Sequence, residues 1–281
     1  MIRWLLLILA ISLHLCAYSA TVQTGQFTAV YTERSPLSQM KSFRLQQRIT
    51  MDDYHLADES FQVFVPKRYS PKKPPGLLVW ISSGPQGNPL PDWYSVFEQS
   101  NLIFIMPNNA GNGRKPNWHR VGLALDAVSN ICTRYIVDRQ RIYIGGPSGG
   151  GNQVGPAALY HPDVFTGCLL MLCYPRFREV KIQNLSLSAS FPPPPDYFLM
   201  LAQKKLRIVF LAGEKDTWMP RERVKATAEY GYQDFAFHPV YFEVPNLDHN
   251  VPHAPWVKKC LAALDAPLAK SVKESQRAKR K

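Results

Sequence analysis

The chain alternates short apolar runs with longer stretches in which apolar residues recur every three or four positions. Leu77 to Ile81 reads Leu-Leu-Val-Trp-Ile without interruption, and Leu102 to Met106, Cys168 to Cys173 and Ile208 to Ala212 repeat that pattern. Runs of this length suit strands covered on both faces, as in a parallel sheet. Arg141 to Ile144 and Val240 to Val244 extend the series, and Phe61 to Val65 alternates before Pro66 ends it. Between the runs, Val121, Leu125, Val128, Cys132 and Tyr135 fall on one helical face, as do Val257, Cys260, Leu261 and Leu264 near the end. The alternation predicts the α/β class, with a mostly parallel central sheet and helices on both faces.

With 281 residues, of which 46% are hydrophobic, the chain can bury one sizeable core. The expected division is a catalytic domain over 51–266, preceded by an arm over 20–50 with weak periodicity. Arg176 to Tyr197 falls between two predicted strands, and Pro192 to Pro195 bar a regular helix there. Two readings stay open for it: an insertion that overhangs a substrate site, or a plain surface connection. No internal repeat is visible.

Residues 1–19 have the plan of a secretory signal peptide: Arg3, an apolar run from Leu5 to Leu15, then small residues at Ala17 and Ser19. The run is too short for a membrane span, so a secreted or periplasmic protein is expected, with no integral membrane segment. Of the formal charge of +12, much sits in the tail 267–281, where Lys270, Lys273, Arg277, Lys279, Arg280 and Lys281 face only Glu274. Such a run reads as a solvated tail, and with no nucleic-acid-binding motif elsewhere no nucleic-acid partner is expected. Cys132, Cys168, Cys173 and Cys260 lie in apolar surroundings and read as buried small residues, with one bridge left open. No pair has zinc spacing, so no metal is expected. Asn184-Leu185-Ser186 is a glycosylation sequon. Oligomeric state has no signal.

The chemistry is carried by Gly146-Pro147-Ser148-Gly149-Gly150, a G-x-S-x-G sequence that directly follows a strand pattern and precedes a helix-compatible segment. In that context the serine sits on a sharp strand-to-helix turn, and the flanking glycines allow the chain to close. The turn also exposes the Gly149 N–H to a developing oxyanion. A serine hydroxyl needs a base and an orienting acid, and both follow in chain order. Asp216 lies just beyond Ile208 to Ala212, and His249 just beyond Val240 to Val244. Glu214 and His253 are the rivals for those two roles. His119, beside Trp118, reads as structural or substrate-lining.

On these residues, and on Val137-Asp138-Arg139-Gln140-Arg141-Ile142-Tyr143 leading into the elbow and Tyr160-His161-Pro162-Asp163-Val164-Phe165 after it, the stretch from Phe61 to Leu264 resembles the α/β-hydrolase superfamily. Within it, the chain is similar to secreted esterases of the polyhydroxyalkanoate depolymerase and feruloyl or acetylxylan esterase type. The resemblance implies acyl transfer from an ester to Ser148 and then to water, with no cofactor. It departs from the pattern at Ser82 to Gly87, where such esterases usually carry a His-Gly-Gly-type sequence. A backbone donor needs no particular side chain, so Ser83 is expected to complete the oxyanion hole with Gly149, with Gly84 as the other choice; Pro85 has no N–H. Pro156 is expected to kink the helix behind the elbow. Trp93, Trp118 and Trp218 are expected in loops near the site, either stacking on substrate or packing the loop bases. The expected partner is a small or polymeric ester substrate. A serine peptidase of the same fold and a non-catalytic binding protein that retains it are the alternatives.

Overall fold

The structure is a computed structural model that describes residues 22–39, 53–86 and 89–268. The signal-peptide reading and residues 269–281 of the basic tail lie outside the described residues.

Eight strands form one sheet in the order β1 (Gly25–Val30), β2 (Ser60–Val65), β4 (Leu102–Pro107), β3 (Gly76–Trp80), β5 (Ile142–Pro147), β6 (Gly167–Met171), β9 (Arg207–Gly213) and β10 (Val240–Val244). From β4 through β10 every pairing is parallel, while β1 and β2 pair antiparallel at one edge. The seven strand segments read from the sequence are all present, with no end moved by more than three residues. β1, in the weakly periodic arm, alternates exposed and half-buried positions as an edge strand does.

The central strands send alternate side chains to opposite faces. Leu77, Val79, Ile103, Ile105, Ile144 and Phe210 join one core with α2 (Trp118–Arg134) and α3 (Ser148–Tyr160). Leu78, Trp80, Phe104, Tyr143, Leu169 and Leu211 join the other with α1 (Trp93–Gln99) and α6 (Ala254–Asp265). Both faces are therefore dry, which is why these strands read as unbroken apolar runs. Each fully buried Leu, Ile or Phe contributes roughly 1.5–3 kcal/mol relative to exposure. Cys132, Cys168, Cys173 and Cys260 are free thiols, so no bridge forms among the described residues.

The stretch from Arg176 to Tyr197 contains a small hairpin of β7 (Val180–Ile182) and β8 (Leu185–Leu187), then the proline run, and α4 (Asp196–Lys205) begins directly after it. The short α5 (Arg221–Ala226) follows β9. α3 runs through Pro156 without a break.

The arm is held by a buried carboxylate. Asp126, on α2 and fully buried, accepts hydrogen bonds from the Ser35 N–H (2.7 Å), the Ser38 hydroxyl (2.5 Å) and the Tyr54 hydroxyl (2.5 Å), with Arg34 Nε 3.9 Å away. Burial raises the Asp126 carboxyl above its ordinary pKa, a shift opposed by the bonds from Ser38, Tyr54 and Ser35 and by Arg34.

Candidate active site

The carboxyl ends of parallel strands meet at one edge of the sheet, and the loops that leave them converge there. β5 ends at Pro147, and Ser148 starts α3 with φ of 48°, a left-handed conformation for a non-glycine residue. That geometry costs on the order of 1–3 kcal/mol and persists only where packing dictates it. Here the surrounding glycines allow it. A Cβ on Gly150 would lie 3.0 Å from the Ile81 carbonyl carbon, and one on Gly151 would lie 2.8 Å from the Gly146 oxygen.

The loop after β9 carries Asp216 and the loop after β10 carries His249. His249 Nε2 lies 2.9 Å from Ser148 Oγ, and His249 Nδ1 lies 2.7 Å from Asp216 Oδ2. The other carboxylate oxygen of Asp216 accepts the N–H groups of Trp218 and Met219, each at 2.9 Å. The Asp216 side chain is 0% exposed and the His249 ring 21%. The acid is thus sealed and fixed, while the imidazole keeps an edge toward solvent.

Neither rival joins this chain of hydrogen bonds. Glu214 accepts the Asn246 N–H at 2.7 Å and lies 3.8 Å from Arg221. His253 precedes α6 as its N-terminal cap residue and sits 3.1 Å from Asp92 Oδ2, largely exposed. His119 is buried, with Arg114 Nε donating toward its Nδ1 at 3.4 Å.

Beside the serine, Ser83 links the loop after β3 to the elbow. Its hydroxyl donates to the Pro147 oxygen at 2.6 Å and accepts the Gly150 N–H at 3.3 Å. The Gly84 N–H is occupied by Ser82 Oγ at 3.1 Å. Among the described residues, the N–H groups of Ser83 and Gly149 meet no protein acceptor. The Gly84 N–H, by contrast, is committed within its own loop.

No family model and no curated protein matches the sequence. Solved structures do. The chain is similar to a ferulic acid esterase, with 14% identity and a TM-score of 0.57 over 86% of this chain and 98% of that one. It is also similar to LpqC, a poly(3-hydroxybutyrate) depolymerase from Bordetella parapertussis, with 15% identity and a TM-score of 0.56 over 90% and 95%. It spans only 33%, 56% and 36% of three other similar structures, the last a puromycin-hydrolyzing peptidase from Mycobacterium tuberculosis at 20% identity and TM-score 0.50. The chain has the α/β-hydrolase fold.

In this α/β-hydrolase fold the three tryptophans take different places. Trp93 is core: it is buried in α1, donates its indole N–H to the Pro252 oxygen at 2.9 Å and packs edge-on against Trp80. The loop expectation fails there because Trp93 opens a helix whose apolar face covers the sheet. Trp218 is 76% exposed and lies nearly flat on His249, with ring centroids 5.3 Å apart at 29°. Trp118 opens α2 and lines a cavity of about 120 Å³ with Asn152, Gln153, Pro156, Ser190 and Phe191. Asn152 is one helical turn beyond Ser148. Ser190 and Phe191 come from the stretch after β8, so that stretch borders this cavity. A larger cavity, about 230 Å³, is lined by Leu37, Leu125, Arg139, Ile142 and Asp163; neither cavity is lined by Ser148, Asp216, His249, Gly149 or Ser83.

Arg120 carries no signal in the sequence. Arg120, buried on α2, donates to the Ala110 oxygen at 2.8 Å and to the Ser82 oxygen at 2.9 Å. Burial pushes its pKa down to about 10, which leaves it charged at neutral pH. It joins the two loops that flank the elbow, and no local motif signals that role.

Proposed function

We propose that this protein is an exported serine hydrolase of carboxylic esters that works through an acyl-enzyme on Ser148. The observation that carries the reading is the continuous chain from Ser148 Oγ through His249 to the sealed Asp216, built on a serine with φ of 48°. His249 takes the Ser148 proton as Oγ bonds to the ester carbonyl carbon and the carbonyl electron pair moves onto oxygen. The N–H groups of Gly149 and Ser83 hold that oxygen. Collapse breaks the bond to the alcohol, which leaves with the proton from His249. Water then repeats the sequence on the acyl-enzyme, with His249 again as base. Asp216 orients the ring and stabilises the imidazolium throughout.

For the acyl group, the cavity of about 120 Å³ beside α3 is the available recess. Lined by Asn117, Asn152, Gln153 and Ser190 together with Trp118 and Phe191, it suits a small, partly polar acyl chain. Similarity to a ferulic acid esterase and to a poly(3-hydroxybutyrate) depolymerase supports esters of polysaccharides or polyesters as the substrate class. Export rests on the reading of residues 1–19.

The test is covalent labelling with a fluorophosphonate probe, located by peptide mass spectrometry, followed by turnover of matched ester and amide substrates. Labelling at Ser148 that disappears in Ser148→Ala and His249→Ala, with esters cleaved faster than amides, is the expected result. Faster amide cleavage makes the protein a peptidase instead. A folded protein that neither labels nor turns over either substrate is a binding protein on the same fold.

A further inference from the structure

Asn112 is placed to take part in the same reaction. It lies in the loop that leaves β4, and that loop is fastened to the segment carrying Ser83. The Asn112 N–H donates to the Ser83 oxygen at 2.8 Å, and the Asn109 N–H donates to the Pro85 oxygen at 2.6 Å. Arg120 bonds carbonyls of both loops from below. The two backbones touch so closely that a Cβ on Gly111 would lie 2.7 Å from the Pro85 nitrogen.

From this support the Asn112 side chain reaches across Gly149. A Cβ on Gly149 would meet Asn112 Oδ1 first, then Asn112 Cγ at 2.6 Å and Nδ2 at 2.7 Å. The space above the residue after the nucleophile is therefore filled by a carboxamide from another loop. Other asparagines use their carboxamides in the fold: Asn101 donates to the Lys73 oxygen, Asn108 to Ser60 and Asn130 to the Glu33 oxygen. The Asn112 carboxamide is exposed and makes no hydrogen bond among the described residues. It stands against Gly149, whose own N–H is free for a ligand, on a backbone held from three sides.

We propose that Asn112 Nδ2 is a third donor to the oxyanion formed when Ser148 attacks the ester. This rests on the serine-hydrolase reading and adds a side-chain donor to the two backbone ones. Among the described residues nothing bonds the carboxamide, so its NH2 group can turn to the oxygen as charge develops. The bond then strengthens only in the transition state, so its loss lowers kcat and leaves KM nearly unchanged.

The experiment measures kcat and KM for p-nitrophenyl acetate, and the fluorophosphonate labelling rate, in the parent, Asn112→Ala and Asn112→Asp. Removing one such donor costs about a hundredfold in kcat. We expect that loss in Asn112→Ala with KM and thermal midpoint unchanged. Asn112→Asp should lose more than Ala, since a carboxylate repels the oxyanion while keeping the same shape. A purely structural role predicts the opposite order, because Asp conserves volume. Equal kcat in all three proteins, or a change confined to KM, overturns the assignment while the hydrolase reading stands on the labelled parent. A folded parent that neither labels nor turns over overturns both.

Discussion

Replacing Asp216 by asparagine changes one atom and, from the bonds around it, reverses a proton. One carboxylate oxygen accepts two backbone N–H groups, from Trp218 and Met219, each at 2.9 Å; the other faces His249 Nδ1 at 2.7 Å. In Asp216→Asn the amide oxygen must stay with the two N–H donors, because an NH2 group there would strand them, at about 1–3 kcal/mol for each buried donor. The NH2 group is therefore turned toward His249 Nδ1. That nitrogen must then accept, so the ring proton moves to Nε2, 2.9 Å from Ser148 Oγ. The base now presents a hydrogen to the hydroxyl it should deprotonate. In the serine protease triad the equivalent exchange lowers kcat by about ten-thousandfold, or about 5.4 kcal/mol of barrier. The same loss is expected here for ester turnover and for the fluorophosphonate labelling rate, with an unfolding midpoint close to the parent's. Turnover within tenfold of the parent would refute the reasoning: either Asp216 does not set the His249 tautomer, or the site works without that base.

Other parts of the molecule make separate predictions. Arg120→Met removes the bonds to the Ala110 and Ser82 oxygens and should lower kcat about tenfold or more, without rescue by Arg120→Lys, since one ammonium does not reproduce a guanidinium fork; steady-state kinetics of both variants checks this. Asp126→Ala strands the Ser35, Ser38 and Tyr54 donors and should cost about 3 kcal/mol, read from the urea midpoint. Because burial raises the Asp126 carboxyl, the folded state binds its proton more tightly than the unfolded one. Its contribution therefore falls as pH rises from about 4 through the folded-state pKa, so unfolding free energies across that window should shift in favour of Asp126→Asn relative to the parent. Trp218→Ala removes the face that covers the His249 imidazolium; a loss of about 1 kcal/mol, or fivefold in kcat/KM, is expected with stability unchanged.

Much of this architecture was legible along the chain because it follows from local repetition. Strands covered on both faces must be apolar at every position, so Leu77 to Ile81 and Ile208 to Ala212 declared themselves, and helices with one buried face declared themselves by their spacing. The order of Ser148, Asp216 and His249 was readable for a related reason: each follows a strand, and strand ends in a parallel sheet share one edge. β1 was less plain, since an edge strand half in solvent carries little apolar signal. Trp93 was misplaced because a tryptophan beside a proline-rich loop looks the same in sequence whether it faces the cavity or the core. Only the structure separates His249 from His253: the first lies against Ser148, while the second sits exposed before a helix, beside Asp92. Asn112 and Arg120 carried no signal at all. Their roles depend on contacts with Gly149 and with the Ala110 and Ser82 carbonyls, across strands that no periodicity relates. The sequence by itself determined the sheet, the elbow and the order of the reactive groups, because those depend on near neighbours in the chain. Only the tertiary structure decided which loops come together beside the serine, because that depends on how distant parts of the chain meet in space.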